Sequence, residues 1–158
     1  MIETHGHKGA RIFVSKTSIL TIRLNSRNSV DAVCIMAKEI EIKWLSKPQE
    51  RNYTAAISYL SLPYDEPTVS GHIESLKRAP MSKYMAKDIF RASGLSLLGV
   101  SNSRVKTDKK KIKGGKPLSP LLLIRDSSNG KVIIADGYHR LCAVYSYDED
   151  ALIPCKIV

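Results

Sequence analysis

Residues 131–147 read KVIIADGYHRLCAVYSY, and the fold class follows from this stretch. Its first five residues are mainly apolar and β-branched, which predicts a short buried strand. Asp136-Gly137 ends that strand. The residues from Tyr138 to Tyr147 then predict a helix, because three of them are spaced for one buried face: Leu141, Val144 and Tyr145. The stretch therefore predicts a strand, a tight turn and a helix.

A second apolar run precedes this stretch. Leu121 to Ile124 are four consecutive apolar residues, a pattern typical of a strand buried on both faces. The cluster from Asp126 to Gly130 predicts a turn, so a strand near 119–125 returns as the strand near 131–135. A last strand is predicted over 152–158. These elements predict an α/β (α+β) fold with a small mixed sheet.

Upstream of this sheet the sequence predicts one strand and four helices. Three apolar residues, Ile40, Ile42 and Trp44, alternate with charged ones, which indicates a half-buried strand. The helices follow from caps, apolar spacing and stop signals. They are 53–62 capped by Asn52, 66–78 preceded by Asp65, 86–92 ended by Gly94, and 109–115 capped by Thr107 or Asp108.

The composition is that of an ordinary folded domain. The chain has 158 residues, 43% apolar and 25% charged, which is enough to bury a core without disulfides or metals. It has no apolar run long enough to span a membrane. Three cysteines without paired spacing favour a reducing compartment. No signal-peptide pattern opens the chain, so a cytoplasmic location is expected.

The sequence divides into three predicted regions. Met36 begins a segment that resembles a fresh protein start, so residues 1–35 are interpreted as a poorly ordered or adventitious extension. Residues 36–98 are interpreted as a strand followed by a helical cap. Residues 99–158 are interpreted as the core of the fold. No metal site is predicted, because Cys34, Cys142 and Cys155 lack zinc-site spacing and His5 and His7 lie in the extension.

The net charge of +10 is concentrated in one segment. Between Arg104 and Lys116 there are seven basic residues against Asp108, a net of +6. A patch of this kind attracts polyanions, because neutralised phosphates release condensed counterions; the alternative is a solvated, lysine-rich helix face. Without interleaved aromatic residues, any nucleic-acid binding should be non-specific. The candidate nucleic-acid-binding residues are Lys106, Lys109, Lys110, Lys111, Lys113 and Lys116.

The turn at Asp136-Gly137 is a candidate anion site. A strand that passes abruptly into a helix presents the unpaired N–H groups of the first helical turn, at the positive end of the helix dipole. Gly137 permits a tight junction and the close approach of a ligand. His139 adds a donor, and Arg140 can grip a phosphate with two hydrogen bonds. The alternative is a turn aspartate, a surface histidine and an arginine in a salt bridge.

The C-terminal 60 residues resemble the ParB/sulfiredoxin superfamily. The resemblance rests on the order and spacing of several short elements, each of which is weak by itself. They are Asn102-Ser103-Arg104, the basic helix, Pro120 with the strand after it, the hairpin, Gly137-Tyr138-His139-Arg140, and Ile153-Pro154 in the closing strand. The resemblance implies phosphate binding by Gly137, Tyr138, His139, Arg140 and Arg104. It implies a nucleoside di- or triphosphate (CTP or ATP/ADP), with or without magnesium.

The glycine motif differs among branches of that superfamily. Partition proteins have Gly-Glu-Arg-Arg, which binds the triphosphate of CTP, and sulfiredoxins have Gly-Cys-His-Arg with a catalytic cysteine. Tyr138 occupies the cysteine position here, so sulfiredoxin chemistry is not expected, and Cys142 is interpreted as a small buried residue. Free-serine kinases carry Asp-Gly-His-His-Arg, and the stretch Asp136 to Arg140 matches four of those five residues.

Three functions follow as hypotheses. The first is a nucleotide- or phosphate-binding module in which Arg140 contributes most to affinity. The second is a small-molecule kinase or phosphohydrolase, in which Asp136 orients magnesium or acts as a base and His139 assists catalysis. That reaction needs another carboxylate, for which the candidates are Glu50, Asp65 and Glu66. The third is a noncatalytic DNA-binding or interaction module.

Overall fold

The computed structural model of the chain describes residues 40–99 and 101–158, and Glu41–Val158 form one compact unit. The helices are α1 (Glu50–Leu60), α2 (Glu66–Arg78), α3 (Ala86–Ser93), α4 (Ser103–Lys113) and α5 (Tyr138–Tyr145). The strands are β1 (Ser82–Met85), β2 (Leu121–Asp126), β3 (Lys131–Asp136) and β4 (Leu152–Ile157). The fold is mixed α/β, as the sequence predicts.

The four strands form one mixed sheet in the order β1-β4-β2-β3. The hairpin partners β2 and β3 are antiparallel, as are β1 and β4. Strands β2 and β4 are parallel, and α5 connects the hairpin to β4. The predicted regions 36–98 and 99–158 therefore share one sheet, because β1 comes from the first region and its partner β4 from the second.

Apolar side chains cover both faces of the sheet. On one face, Leu121 and Leu123 of β2 join a core that includes residues of α3, α4 and α5. On the other face, Leu122 and Ile124 join a core with α1 and α2. Each of these four residues of β2 is at most 1% exposed. The prediction that this apolar run is a strand buried on both faces is therefore confirmed.

The stretch over residues 131–147 also folds as predicted. Strand β3 ends at Asp136, Gly137 makes the turn, and α5 begins at Tyr138. Leu141 and Val144 are fully buried, as the helical spacing indicates. Helix α5 ends at Tyr145, two residues before the predicted end.

The predicted strand over 40–44 is wrong. Only Trp44 pairs there, in an isolated parallel bridge to Leu118. Leu45 N–H donates to the Leu118 carbonyl and Leu118 N–H to the Lys43 carbonyl, both at 2.8 Å. Pro117 and Pro120, close to Leu118 on either side, have no N–H group. The pairing therefore does not extend into a strand.

Two helices begin earlier than predicted. Helix α4 starts at Ser103 and not after Thr107 or Asp108, because the Asn102 side chain accepts hydrogen bonds from the backbone N–H groups of Arg104 and Val105, at 3.0 and 3.3 Å. Helix α1 starts at Glu50, so Asn52 lies inside its first turn.

The predictions for α2 and α3 hold, whereas no sequence signal predicts β1. Asp65 caps α2 by accepting from Thr68 N–H, and Gly94 ends α3 in the left-handed conformation. Strand β1 is short and mostly exposed. It lacks an apolar alternation and forms because β4 supplies a partner.

Within residues 40–99 and 101–158, no helix is long and apolar enough to cross a membrane.

Candidate functional site

A polar cleft of about 340 Å³ lies where β3 meets α5. Helix α1 flanks it on one side and α4 on another. Four cationic side chains, a histidine and two carboxylates contribute to its walls. The lining residues are Arg51, Arg104, Thr107, Asp108, Lys111, Asp136, Gly137, His139 and Arg140.

Gly137 makes the turn at the base of the cleft. Its φ is 109°, a conformation that L side chains rarely adopt. A Cβ atom built there would lie 2.7 Å from Leu121 Cγ and 2.8 Å from Arg140 Nη2. The glycine therefore allows β3 to pass directly into α5. Because the first N–H groups of a helix have no intrahelical partner, the turn presents donors beside the cleft.

Asp136 and Arg140 form an ion pair across the first turn of α5. The Arg140 Nη2 group donates to Asp136 Oδ2, and the two side chains are only 18% (Asp136) and 13% (Arg140) exposed. The Arg140 Nε atom is buried and has no hydrogen-bond partner among the described residues. Arg140 therefore lines the cleft while paired with Asp136. Of the two alternatives that the sequence leaves open for Arg140, a phosphate-gripping fork and a salt-bridge partner, the structure shows the salt bridge.

The buried amide of Asn52, on α1, also contacts Asp136 of this ion pair. Asn52 of α1 is 4% exposed, and its Nδ2 donates to Asp136 Oδ2 at 2.9 Å. Its Oδ1 accepts from Ser119 Oγ at 2.6 Å and from Gln49 N–H at 2.8 Å. The orientation of the amide follows from Gln49 and Asp136, because a backbone N–H can only donate and a carboxylate can only accept. The sequence predicts Asn52 only as a helix cap.

Asp108 and Lys111 form a second ion pair on the α4 side of the cleft. The Lys111 Nζ atom lies 2.6 Å from Asp108 Oδ1, and the Asp108 side chain is 10% exposed. Asp108 is therefore a carboxylate in the cleft wall. The sequence predicts it as a helix cap and not as a site residue.

Arg51 and Arg104 are the cations of the cleft that have no acidic partner within the described part of the chain. Both are exposed, and their side chains make no ion pair or hydrogen bond there. Arg51 comes from α1 and Arg104 from α4, so two distant segments supply them. The sequence predicts Arg104 as a site residue and carries no signal for Arg51.

The surroundings of the His139 imidazole favour its neutral form. Burial lowers the pKa of its imidazole, and the positive charge of Arg104 lowers it further. The nearby carboxylate of Asp108 opposes this shift without reversing it. A neutral imidazole keeps one nitrogen free to accept a proton or a hydrogen bond.

Tyr138 points elsewhere. Its side chain is not among those that line the cleft; its hydroxyl donates to the Ser96 carbonyl, and its ring packs against the core. Cys142, one turn further along α5, is fully buried, and burial raises the pKa of its thiol. The interpretation of Cys142 as a small buried residue is confirmed. Of the predicted phosphate-binding residues, only Tyr138 therefore directs its side chain away from the cleft.

The predicted basic segment divides between two surfaces. Residues of a helix separated by three or four positions share a face. Arg104 and Lys111 lie seven residues apart and face the cleft. Lys109 Nζ lies 5.5 Å from the centre of the Tyr147 ring. The remaining lysines are exposed outside the cleft: Lys106, Lys110 and Lys113 on one stripe of α4, and Lys116 beyond its end.

The three carboxylates proposed from sequence lie outside the cleft. Glu50 pairs with Lys77 at 3.2 Å, Asp65 caps α2, and Glu66 lines a separate groove beside α1 and α2. Within residues 40–99 and 101–158, no cluster of histidine, cysteine or acidic side chains could hold a metal ion. The residues His5, His7 and Cys34 lie outside the described part of the chain.

The sequence does not predict Arg51, Asn52 or Asp108 as residues of the site. Arg51 and Asn52 precede Asp136 by more than 80 residues, and no local pattern links them to it. Asp108 lies among lysines, where a helix-capping role explains it equally well.

Comparison with protein families, with curated proteins and with solved structures finds no match for this chain.

Proposed function

We propose that the cleft binds the phosphate groups of a nucleoside di- or triphosphate. The observation that carries this proposal is the convergence of Arg51 and Arg104, from separate helices, on the N-terminus of α5. Neither guanidinium has an acidic partner among the described residues. Cations that converge without carboxylates to neutralise them favour a bound anion, and a helix N-terminus adds donors of the same sign.

The other charges of the cleft agree with a phosphate ligand. Asp136 and Asp108 are each engaged by a cation, so the two negative charges are already balanced. The volume lies at the lower end of the range of roughly 300–1,000 Å³ that small-molecule sites occupy. The site would hold the phosphates and leave the base of the nucleotide partly outside.

The resemblance to the ParB/sulfiredoxin superfamily supports the same ligand. The chain has a helix, a strand after Pro120, a hairpin, a helix that follows Gly137, and a closing strand, in the order that the resemblance implies. It implies CTP or ATP/ADP as the nucleotide, with or without magnesium as the accompanying ion.

Nucleotide titrations test the proposal. ATP, ADP, CTP and GTP are added with and without magnesium, and binding is followed by calorimetry and by the melting temperature. Arg51→Ala and Arg104→Ala should each weaken binding by more than about tenfold, since a hydrogen bond to a charged group contributes about 1.5–3 kcal/mol. Arg78→Ala, which removes an exposed guanidinium outside the cleft, should leave the affinity unchanged. Absence of binding by all four nucleotides would refute the proposal.

A second candidate function is phosphoryl transfer in the same cleft. The observation in its favour is that His139 shares the cleft with two carboxylates, Asp108 and Asp136, in surroundings that favour the neutral imidazole. Such an imidazole can take a proton from an attacking hydroxyl. If the protein is a phosphotransferase, His139→Ala should abolish turnover and leave nucleotide affinity within a few-fold. Equal losses of affinity and turnover would argue for a binding role.

A third candidate is non-specific contact with nucleic acid. It is supported by the exposed lysines on the outer stripe of α4, which lie on a different face from the cleft-lining residues of that helix. Nucleotide and nucleic acid would then bind to separate surfaces.

A further inference from the structure

We infer that Asn52 is a positioning residue of the cleft, holding Asp136 so that the carboxylate keeps Arg140 in place. The inference rests on the proposed function for its effect on affinity. The positioning role itself follows from the hydrogen bonds that Asn52 makes with buried groups. It assigns α1 a part in the site beyond covering the sheet.

The contacts of Asn52 leave its amide one orientation. The Gln49 N–H can only donate and the Asp136 carboxylate can only accept, so Oδ1 must face Gln49 and Nδ2 must face Asp136. The hydroxyl of Ser119, which is 5% exposed, then donates to the same Oδ1. A rotated amide would place the Gln49 N–H against Nδ2 and an amide oxygen against the Asp136 carboxylate. Each of these arrangements loses a hydrogen bond in a buried place.

The same oxygen of Asp136 then holds Arg140. Asp136 Oδ2 accepts from both Asn52 Nδ2 and Arg140 Nη2. Because the carboxylate lies at the end of β3 and the guanidinium on the first turn of α5, this shared oxygen joins the strand, the helix and α1. Without the Asn52 donor, the Asp136 carboxylate and the Arg140 guanidinium that it holds would be less constrained.

Arg51, the neighbour of Asn52 on α1, lines the cleft itself. The side chain of Asn52 enters the protein and that of Arg51 is exposed. Anchoring Asn52 therefore also fixes the position from which Arg51 reaches the ligand. Two consecutive residues thus couple α1 to the cleft.

The decisive variant is Asn52→Asp. It keeps an oxygen to accept from Ser119 and Gln49 but replaces the donor that faces Asp136 with a second oxygen. The affinity for ADP should fall by more than about tenfold. A matched control exists in the β2–β3 turn, where Asn129 Nδ2 donates to Asp126 Oδ2 at 2.8 Å. Asn129→Asp makes the same chemical change at an exposed site and should leave the affinity for ADP unaltered.

A double-mutant cycle separates positioning from general support. If Asn52 acts through Asp136, the affinity losses of Asn52→Asp and Asp136→Asn should not multiply, since Asp136→Asn already removes the carboxylate that links Asn52 to Arg140. Losses that multiply would overturn the inference. If Asn52→Asp does not fold, Ser119→Ala loosens the same network and enters the cycle in its place.

A measurement without ligand keeps the inference separate from the proposed function. In the wild type, the buried Arg140 Nε–H should exchange slowly with solvent and give a sharp NMR signal. In Asn52→Asp its exchange should accelerate, whereas Asn129→Asp should leave it unchanged. If the wild type binds no nucleotide but Arg140 responds in this way, the proposed function fails and the positioning role stands. An unchanged Arg140 signal in Asn52→Asp overturns the positioning role.

Discussion

Gly137 is the residue on which the junction of strand and helix depends. Its backbone conformation and its distance from Leu121 both exclude a side chain. Gly130, in the β2–β3 turn, shares a left-handed φ of 62° but has open space around it. Substitution of the two glycines therefore separates the free-energy cost of the left-handed backbone conformation, which applies to both, from the cost of the contact with Leu121, which applies only to Gly137.

Gly137→Ala should lower the free energy of unfolding by about 2–4 kcal/mol, with strain and overpacking both contributing. Gly130→Ala should cost about 1 kcal/mol, because only the conformation is unfavourable. Urea unfolding of the two variants measures the difference. Equal costs would mean that the contact with Leu121 relaxes freely.

His139 should make the stability of the protein depend on pH. The ordinary pKa of an unfolded histidine is about 6.5, and burial lowers the pKa of His139 in the folded protein. Below about pH 6.5 the unfolded chain therefore binds the proton more readily than the folded one. Stability due to His139 is complete above that pH and is lost as the pH falls towards the folded pKa.

The comparison of wild type with His139→Gln isolates this effect from other titrating groups. The advantage of the wild type in free energy of unfolding should be constant well above about pH 6.5 and should shrink as the pH falls below that value. When His139→Gln is introduced into the Arg104→Ala variant, its effect on the free energy of unfolding should depend less on pH, because the charge of Arg104 helps to lower the pKa of His139. A difference that does not vary with pH would contradict the assignment.

At the scale of elements, α4 presents two different basic surfaces. The sequence shows one run of positive charge, in which seven basic residues look equivalent. The structure engages Lys111 with Asp108 and places Lys109 over Tyr147. The exposed stripe of Lys106, Lys110 and Lys113 is the surface of α4, outside the cleft, that a polyanion could contact.

If the stripe binds nucleic acid, replacing Lys106, Lys110 and Lys113 together with alanine should reduce the salt dependence of binding to a generic duplex. Each lysine that no longer neutralises a phosphate should make the slope of log K against log salt shallower by about 0.9. The control triple is Lys47, Lys83 and Lys131, three exposed lysines elsewhere. An equal effect of both triples would show that only net charge matters.

At the scale of the whole molecule, β2 joins two cores through one strand. Leu123 faces the core of α3, α4 and α5, and Leu122 faces that of α1 and α2. A strand shared in this way couples the two cores, because neither persists without it. Residues 41–158 should therefore unfold in one transition.

Leu122→Ala and Leu123→Ala should each cost about 2–5 kcal/mol, since both side chains are fully buried. Leu152→Ala, at a position 55% exposed, should cost less than about 0.5 kcal/mol. Fluorescence of Trp44, which packs against the first core, and far-ultraviolet circular dichroism should give coincident curves in every variant. Separate loss of helix signal in Leu122→Ala would show that α1 and α2 unfold independently.

Elements whose signals are local could be predicted from the amino-acid order alone. The apolar runs of β2 and β3, the cap of α2 at Asp65 and the glycine turn before α5 are encoded in neighbouring residues, so their types and approximate limits follow from the sequence. The candidate anion site at Asp136 to Arg140 could be found for the same reason, since its residues are contiguous.

The partners of those residues are set by the folded chain. Strand β1 depends on hydrogen bonds from β4, and the predicted strand at 40–44 is absent because the prolines near Leu118 limit its pairing. Arg51 lines the cleft and Asn52 contacts Asp136, both from another part of the chain. The ion pair between Arg140 and Asp136 is one of two alternatives that the sequence leaves open, and the folded chain selects it. The physical reason is that hydrogen bonds and ion pairs depend on distance in space, which a single sequence does not record for residues far apart in the chain.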